Sequence, residues 1–159
     1  MAHVAIEYVI MVPVLILQIF LFPLAANSLM NIWVESRKNL TLQETASHLG
    51  SAMQQLYSAL NHKTISTGKA TYSPQLSPLI ENQYYTITGK LVTVLDPAMK
   101  PTKILKLTLV LANAGTRVTT SVLLGPDALW KNSTLVSTSS NAYISATKNS
   151  TGITLQFGG

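Results

Sequence analysis

Side chains that could perform acid, base or metal chemistry are few and scattered in this sequence. The chain has six Asp and Glu residues, three His residues and no Cys. Most of the carboxylates lie where turns or an exposed helix face are predicted, namely Glu35, Glu44, Asp96 and Asp127. The spacing of His3, His48 and His62 does not match that of metal ligands. We therefore expect no enzymatic activity, no metal site, no cofactor and no small-molecule substrate.

Glu7 differs from the other carboxylates because it lies inside a long apolar run. From Tyr8 to Ala26 only Gln18 is frankly polar, so a helix of about twenty apolar residues can cross a bilayer. A carboxylate near the bilayer centre costs about 2.5 to 3.5 kcal/mol and normally has a partner. No Lys or Arg precedes Glu7, where only His3 could carry a positive charge, and the run is longer than the apolar part of a cleaved signal peptide. We therefore predict that this segment is retained and inserts into a membrane.

The helical pattern continues beyond the apolar run. Apolar residues recur at heptad spacing, which predicts that this part packs on the chain's own head domain through Leu42, Leu49, Met53, Leu56 and Leu60. We predict one long helix over residues 1–62, with an apolar part at 4–30 and an amphipathic part at 39–61. Pro13 and Pro23 each remove a backbone donor, so we expect kinks or short melted segments there.

Beyond the helix the signals are those of β-structure. Residues 63–82 are rich in Ser, Thr, Gly and Pro, which predicts a linker or an irregular first strand. Residues 83–159 predict a β-rich head that starts with a long strand bent at Gly89 and ended by Asp96-Pro97. Further strands are expected at Lys103 to Leu111, Arg117 to Leu124, Leu135 to Thr138, Tyr143 to Thr147 and Ile153 to Phe157. The predicted fold class is α+β, with a small antiparallel β-sandwich or barrel-like head.

Composition adds two expectations about the surface. The net charge of +5 is spread over scattered Lys and Arg residues, and no basic run interleaves with aromatics, so we expect no nucleic-acid binding. Asn-x-Ser/Thr sequons at Asn39, Asn132 and Asn149 are candidate N-glycosylation sites, which favours an exterior protein. The alternative, that these sequons are not glycosylated, is equally compatible with the sequence.

The amino-terminal residues resemble those of a known family. Ala5-Ile6-Glu7-Tyr8 before an apolar helix resembles the start of archaeal type IV pilus-like pilins with a class III signal peptide. The stretch from Glu7 to Pro13 is similar to the Glu-aromatic-x4-Pro opening of tight-adherence pilins, and Pro23 lies close to the kink-forming proline of bacterial type IV pilins. This motif is short. The overall architecture covers the whole chain: an apolar amino-terminal helix suited to packing against other helices is followed by a β head, as in the lollipop pilin architecture.

The resemblance implies a helical homopolymer outside the cell. A prepilin peptidase would remove a basic leader, and an assembly ATPase with a platform protein would draw the subunit from the cytoplasmic membrane into a cell-surface filament. Glu7 would correspond to the acidic fifth residue that meets a neighbour's amino terminus, provided that the mature chain begins at His3 and a leader was removed or lies upstream. The implied polymerisation residues are Glu7, Tyr8, Val12, Leu15, Ile19 and Phe22.

Other functions share parts of this pattern. An archaellum (motility) filament subunit would have the same plan, and so would a minor pilin of a secretion machine. A single-pass, membrane-anchored monomer would instead bind a surface ligand through its β head. We favour an adhesive pilus subunit. In a filament the intramembrane carboxylate would find a partner on a neighbouring copy, and the whole length of the helix would pack against other protein surfaces.

Overall fold

A computed structural model describes residues 2–94, 101–113 and 115–159 of the chain, with helix side chains described from Val9 onward. Helix α1 (Ala2–Leu60) comes first. It is followed by β1 (Gly68–Tyr72), β2 (Tyr85–Val94), β3 (Thr102–Leu111), β4 (Arg117–Leu124), β5 (Ala128–Trp130), β6 (Thr134–Val136), β7 (Tyr143–Asn149) and β8 (Gly152–Gly158). The α+β class predicted from the sequence is therefore confirmed. The chain forms two compact units, Met1–Arg37 and Lys38–Gly159.

Helix α1 passes through both prolines without interruption. The melted segments expected at Pro13 and Pro23 are therefore absent from the described helix, while the expected kinks stay a prediction. Proline has no N–H to donate to the carbonyl four residues earlier, so Ile19 loses its helical hydrogen bond to position 23. At the other end, Asn61 N donates to Tyr57 O at 2.8 Å as the helix stops.

The strands form two four-stranded sheets with the orders β1-β7-β8-β5 and β4-β3-β2-β6. Their pairings are antiparallel, except that β5 and β8 run parallel. Alternation along β3 explains the layering, because Leu105, Leu107 and Leu109 are fully buried while Lys106 between them is exposed. The predicted sandwich-like head is thus present, with the inner faces of both sheets lining one hydrophobic core.

The segment 63–82 is not a plain linker. Strand β1 lies within it and pairs with β7 from Gly68↔Lys148 to Tyr72↔Ile144. The interpretation as an irregular first strand is therefore the correct one, and the linker interpretation is wrong for this part. The physical reason is that β7 supplies backbone partners along the whole of β1, where Thr71 and Tyr72 have high strand propensity and outweigh the weak strand formers before them.

Two further details depart from the predictions. The short strand β5 falls between the predicted strands at Arg117 to Leu124 and Leu135 to Thr138, where no strand was predicted. The amphipathic half of α1 belongs to the same compact unit as the sheets, so the division of the chain lies at Arg37 rather than after residue 62. The predicted strand end at Leu95 and the stop at Asp96-Pro97 lie outside the described residues.

Candidate assembly interface

The first part of α1 presents large apolar side chains that the described residues leave exposed. Between Val9 and Trp33 these side chains are roughly half to three-quarters exposed, with Phe22 at 77% and Trp33 at 73%. Within the described residues, α1 is long and apolar enough to cross a membrane. Exposed apolar surface of this extent marks contact with lipid or with another protein.

The predicted polymerisation residues form one stripe of this surface. Val12, Leu15, Ile19 and Phe22 follow each other at intervals of three and four residues, so they share one helix face. All of them are exposed in the single chain. The side chains of Glu7 and Tyr8 lie outside the described residues. The structure therefore leaves the described part of the stripe uncovered, and its role in polymerisation stays a prediction.

Gln18 is the polar residue that interrupts the apolar run between Tyr8 and Ala26. A surface concavity of about 690 Å³ lies beside Pro23 and is lined by Leu15, Gln18, Ile19, Leu21, Phe22, Pro23 and Ala25. The Gln18 side chain makes no hydrogen bond among the described residues, and the Ile19 carbonyl next to it has lost its helical donor. An unpaired amide and an unpaired carbonyl thus adjoin on an apolar helix. In the sequence, this pair of polar groups is indicated by a polar residue five positions before a proline within an apolar helix.

The second part of α1 is fixed in the head. Leu42, Leu49 and Met53 are fully buried, Leu60 is nearly so, and Leu56 is half-buried against the same core. This is the burial that the heptad pattern predicts. One face of residues 42–60 therefore belongs to the hydrophobic core, and the apolar segment precedes it on the same continuous helix.

Helix α1 contacts the edge strands of both sheets, most closely at Gly50. A Cβ placed on Gly50 would lie only 3.1 Å from Val122 Cγ2 of β4. A Cβ placed on Gly68 of β1 would lie 3.4 Å from Leu60 Cδ2. The helix consequently contacts β4 of one sheet and β1 of the other, and it closes the side of the sandwich where these two edges lie.

A buried polar contact fixes the segment before β2. The Tyr85 hydroxyl donates to Ser77 O at 3.0 Å, and the Ser137 hydroxyl donates to Pro78 O at 2.7 Å while accepting from Tyr85 N at 3.0 Å. Burial raises the pKa of Tyr85, and a hydrogen bond with the Thr45 side chain partly offsets that rise. These bonds satisfy polar groups inside the core and hold the crossing segment in place.

The three sequons lie in different surroundings. Asn39 is on α1, whereas Asn132 lies in the loop between β5 and β6 and Asn149 lies at the turn between β7 and β8. All three are exposed. The Asn149 Oδ1 accepts hydrogen bonds from Thr151 N, Thr151 Oγ1 and Gly152 N at 2.7 to 3.1 Å. The amide nitrogen, which glycosylation would modify, is not used by this turn.

Among residues 2–94, 101–113 and 115–159 there is no group of His, Cys, Asp and Glu side chains that could hold a metal ion. Comparison of the chain with protein-family models, curated proteins and solved structures finds no match.

Proposed function

We propose that this chain is the structural subunit of an extracellular filament of the type IV pilus-like kind, and that the filament attaches cells to surfaces. The observation that carries the proposal is the division of one helix into two parts. Residues 9–34 expose apolar side chains, and the buried face of the helix from Leu42 onward packs into the folded head. Such a helix can join a bundle of other copies while each head stays folded.

Polar groups in the apolar part of α1 favour a helix that packs in a bundle with other copies over a single helix that is surrounded only by lipid. Hydrocarbon offers no partner for the Glu7 carboxylate, the Gln18 amide or the Ile19 carbonyl. Neighbouring helices offer such partners, and interhelical hydrogen bonds of Gln side chains contribute about 0.6 to 2 kcal/mol each. The membrane would hold the subunit before assembly, and the bundle would replace the lipid afterwards.

The assembly route follows from the resemblance of the amino-terminal residues. A peptidase would free the amino terminus, and an ATPase with a platform protein would extract the helix into the growing filament. Glu7 would then pair with the amino terminus of a neighbouring copy. An archaellum subunit would assemble in the same way, so the motility role is the alternative within this class.

Shearing of cells that produce the chain tests the proposal directly. We expect the protein to be recovered from the sheared material in filaments visible by electron microscopy, and mass spectrometry would identify it. Recovery only in the detergent-extracted membrane fraction would instead favour a membrane-anchored monomer, which the apolar helix alone also fits. Loss of surface attachment with normal swimming on deletion of the gene would separate a pilus from an archaellum.

Two substitutions distinguish assembly from insertion. Glu7→Ala should abolish filaments while the chain still folds and inserts, whereas Glu44→Ala on the exposed face of the head-bound helix should leave filaments normal. Gln18→Leu makes the helix more apolar, so a simple anchor would be retained equally well or better in the membrane. Reduced filament yield for Gln18→Leu with unchanged membrane insertion supports the bundle, and unchanged filaments with both Glu7→Ala and Gln18→Leu would contradict it.

A further inference from the structure

The outer face of the sheet β4-β3-β2-β6 carries an unusual arrangement of cations. In the register, Lys90 of β2 lies directly opposite Lys106 of β3, and Lys106 lies opposite Ser121 of β4. Both lysines are exposed, and neither forms an ion pair or hydrogen bond among the described residues. Like charges directly opposite each other on a sheet destabilise the pair of strands. The arrangement therefore favours an anion above the two ammonium groups.

A row of threonines crosses the same face one step along the strands. The register aligns Thr134 of β6, Thr88 of β2, Thr108 of β3 and Thr119 of β4. The Thr108 and Thr119 hydroxyl oxygens lie 3.3 Å apart, and Thr88 Oγ1 lies 3.5 Å from Thr108 O. Hydroxyl groups both donate and accept hydrogen bonds, so this row offers a line of contacts to a polar ligand.

The charge on this face is of one sign. The outward positions of these four strands carry Lys90, Lys106 and Arg117 and no carboxylate. We name the outward surface formed by Lys90, Lys106, Arg117 and the threonine row the cationic threonine face. A cationic surface lined by neutral hydroxyls is complementary to a ligand that bears both anionic groups and hydroxyls.

We propose that the cationic threonine face binds an acidic polysaccharide. Carboxylate or sulfate groups of the glycan would bond to the Lys90 and Lys106 ammonium groups, and sugar hydroxyls would exchange hydrogen bonds with the threonine row. Single-stranded nucleic acid is the less suitable polyanion, because proteins that bind it stack the bases on aromatic rings and the outward positions of these strands carry none.

The location of the face fits a ligand from outside the molecule. Helix α1 contacts the inner side of β4, where Gly50 faces Val122 and Thr120. The cationic threonine face is on the other side of the same sheet, so the part of the helix that packs in the head, residues 42–60, does not cover it. The inference concerns the head alone and does not depend on whether the chain forms filaments.

The test is a binding measurement on the full chain, unassembled and in detergent. Immobilised polygalacturonate and dextran sulfate supply carboxylate and sulfate groups, and neutral dextran supplies hydroxyls without charge. We expect binding to one or both acidic polymers that weakens with added salt, and none to neutral dextran. Lys90→Gln with Lys106→Gln should weaken binding roughly tenfold or more, since charge-assisted bonds are the strongest contacts offered here.

Matched controls separate the face from net charge. Lys63→Gln with Lys131→Gln removes the same charge from exposed loop positions and should change binding less than about twofold. Thr88→Val with Thr119→Val keeps every charge and should weaken binding as well. Equal losses for the two lysine pairs, no binding to either acidic polysaccharide, or tighter binding to a single-stranded polynucleotide would each overturn the proposal. Unchanged circular dichroism and thermal unfolding would show that the variants are folded.

Discussion

Gly89 shows how one residue sets the distance between the two sheets. A Cβ at this position would overlap the indole ring of Trp130, which itself meets the Phe157 ring edge-on at 5.2 Å between centroids. The pairing of β2 with β3 continues through Gly89↔Leu107, so this glycine does not interrupt the strand. Its absent side chain instead leaves room for an aromatic ring of the opposite sheet.

Gly89→Ala is therefore expected to destabilise the head. The added methyl group must displace the Trp130 ring, and overpacking of this kind costs about 1 to 3 kcal/mol. Urea unfolding of the chain in detergent, followed by tryptophan fluorescence, measures the change. Gly68→Ala is the matched control, because its Cβ would meet Leu60 at an ordinary distance and glycine in a strand is itself unfavourable by about 0.5 to 1 kcal/mol. Equal stability of the two variants would contradict this account of Gly89.

Tyr85 predicts how the stability of the head depends on pH. Its pKa is raised above the ordinary value of 10.0, first because the ring is buried. As the pH rises past about 10, tyrosine in the unfolded chain loses its proton while folded Tyr85 keeps it, so stability falls by up to about 1.4 kcal/mol per pH unit. The contribution of Tyr85 to stability is fully present below the pKa of tyrosine in the unfolded chain. It is lost as the pH rises through the pKa of Tyr85 in the folded chain.

The variant Tyr85→Phe isolates this effect. At pH 7 it should be about 0.5 to 1.5 kcal/mol less stable, because the hydrogen bond to Ser77 O is lost. Above pH 10 the difference from the parent chain should shrink, because the variant has no group to ionise at that position. Denaturant unfolding at pH 7, 9, 10 and 11 measures the difference, and a constant value over this range would be inconsistent with a raised pKa.

At the scale of elements, the helix was predictable from the sequence and the sheet pairing was not. Heptad spacing depends only on neighbours along the chain, so it identified the leucines and Met53 that enter the core between Leu42 and Leu60, although it missed the buried Ala52 and Tyr57. Strand β5 and the parallel pairing of β5 with β8 depend on a partner far away in sequence. Strand β1 was ambiguous for the same reason, because its residues become a strand only beside β7.

Buried and exposed positions of α1 should respond differently to the same substitution. Leu49 is fully buried, so Leu49→Ala removes core packing and is expected to cost about 2 to 5 kcal/mol. Leu40 lies nine positions earlier on the same helix with 60% of its surface exposed, and Leu40→Ala should change stability by less than about 0.5 kcal/mol. Thermal unfolding of both variants provides the comparison. A similar loss at both positions would mean that the helix is buried along more of its length than the single chain shows.

At the scale of the whole molecule, sequence patterns located the apolar helix but placed the boundary between the two units too far along the chain. A change of composition after residue 62 suggested a boundary there, whereas the compact unit begins at Lys38. Composition records where the secondary structure changes, but a folding unit is defined by which residues share a core. The uncovered state of residues 9–34 could be expected from their apolarity, whereas the pairing of Lys90 with Lys106 required the register.

The position of that division predicts that the chain can be cut within its helix. A chain that starts at Lys38 retains every residue of the hydrophobic core and loses only helix whose described side chains are exposed. Asn39 is suited to cap the new helix end, since Asn is among the preferred N-cap residues. We expect residues 38–159 to be monomeric in water without detergent and to unfold cooperatively, with a free energy of unfolding within about 1 kcal/mol of the intact chain, because a frayed helix end involves few buried contacts. Size-exclusion chromatography and thermal unfolding by circular dichroism measure these properties. Aggregation or loss of cooperative unfolding would show instead that the head needs the amino-terminal helix, and with it the lipid or the neighbouring copies, in order to fold.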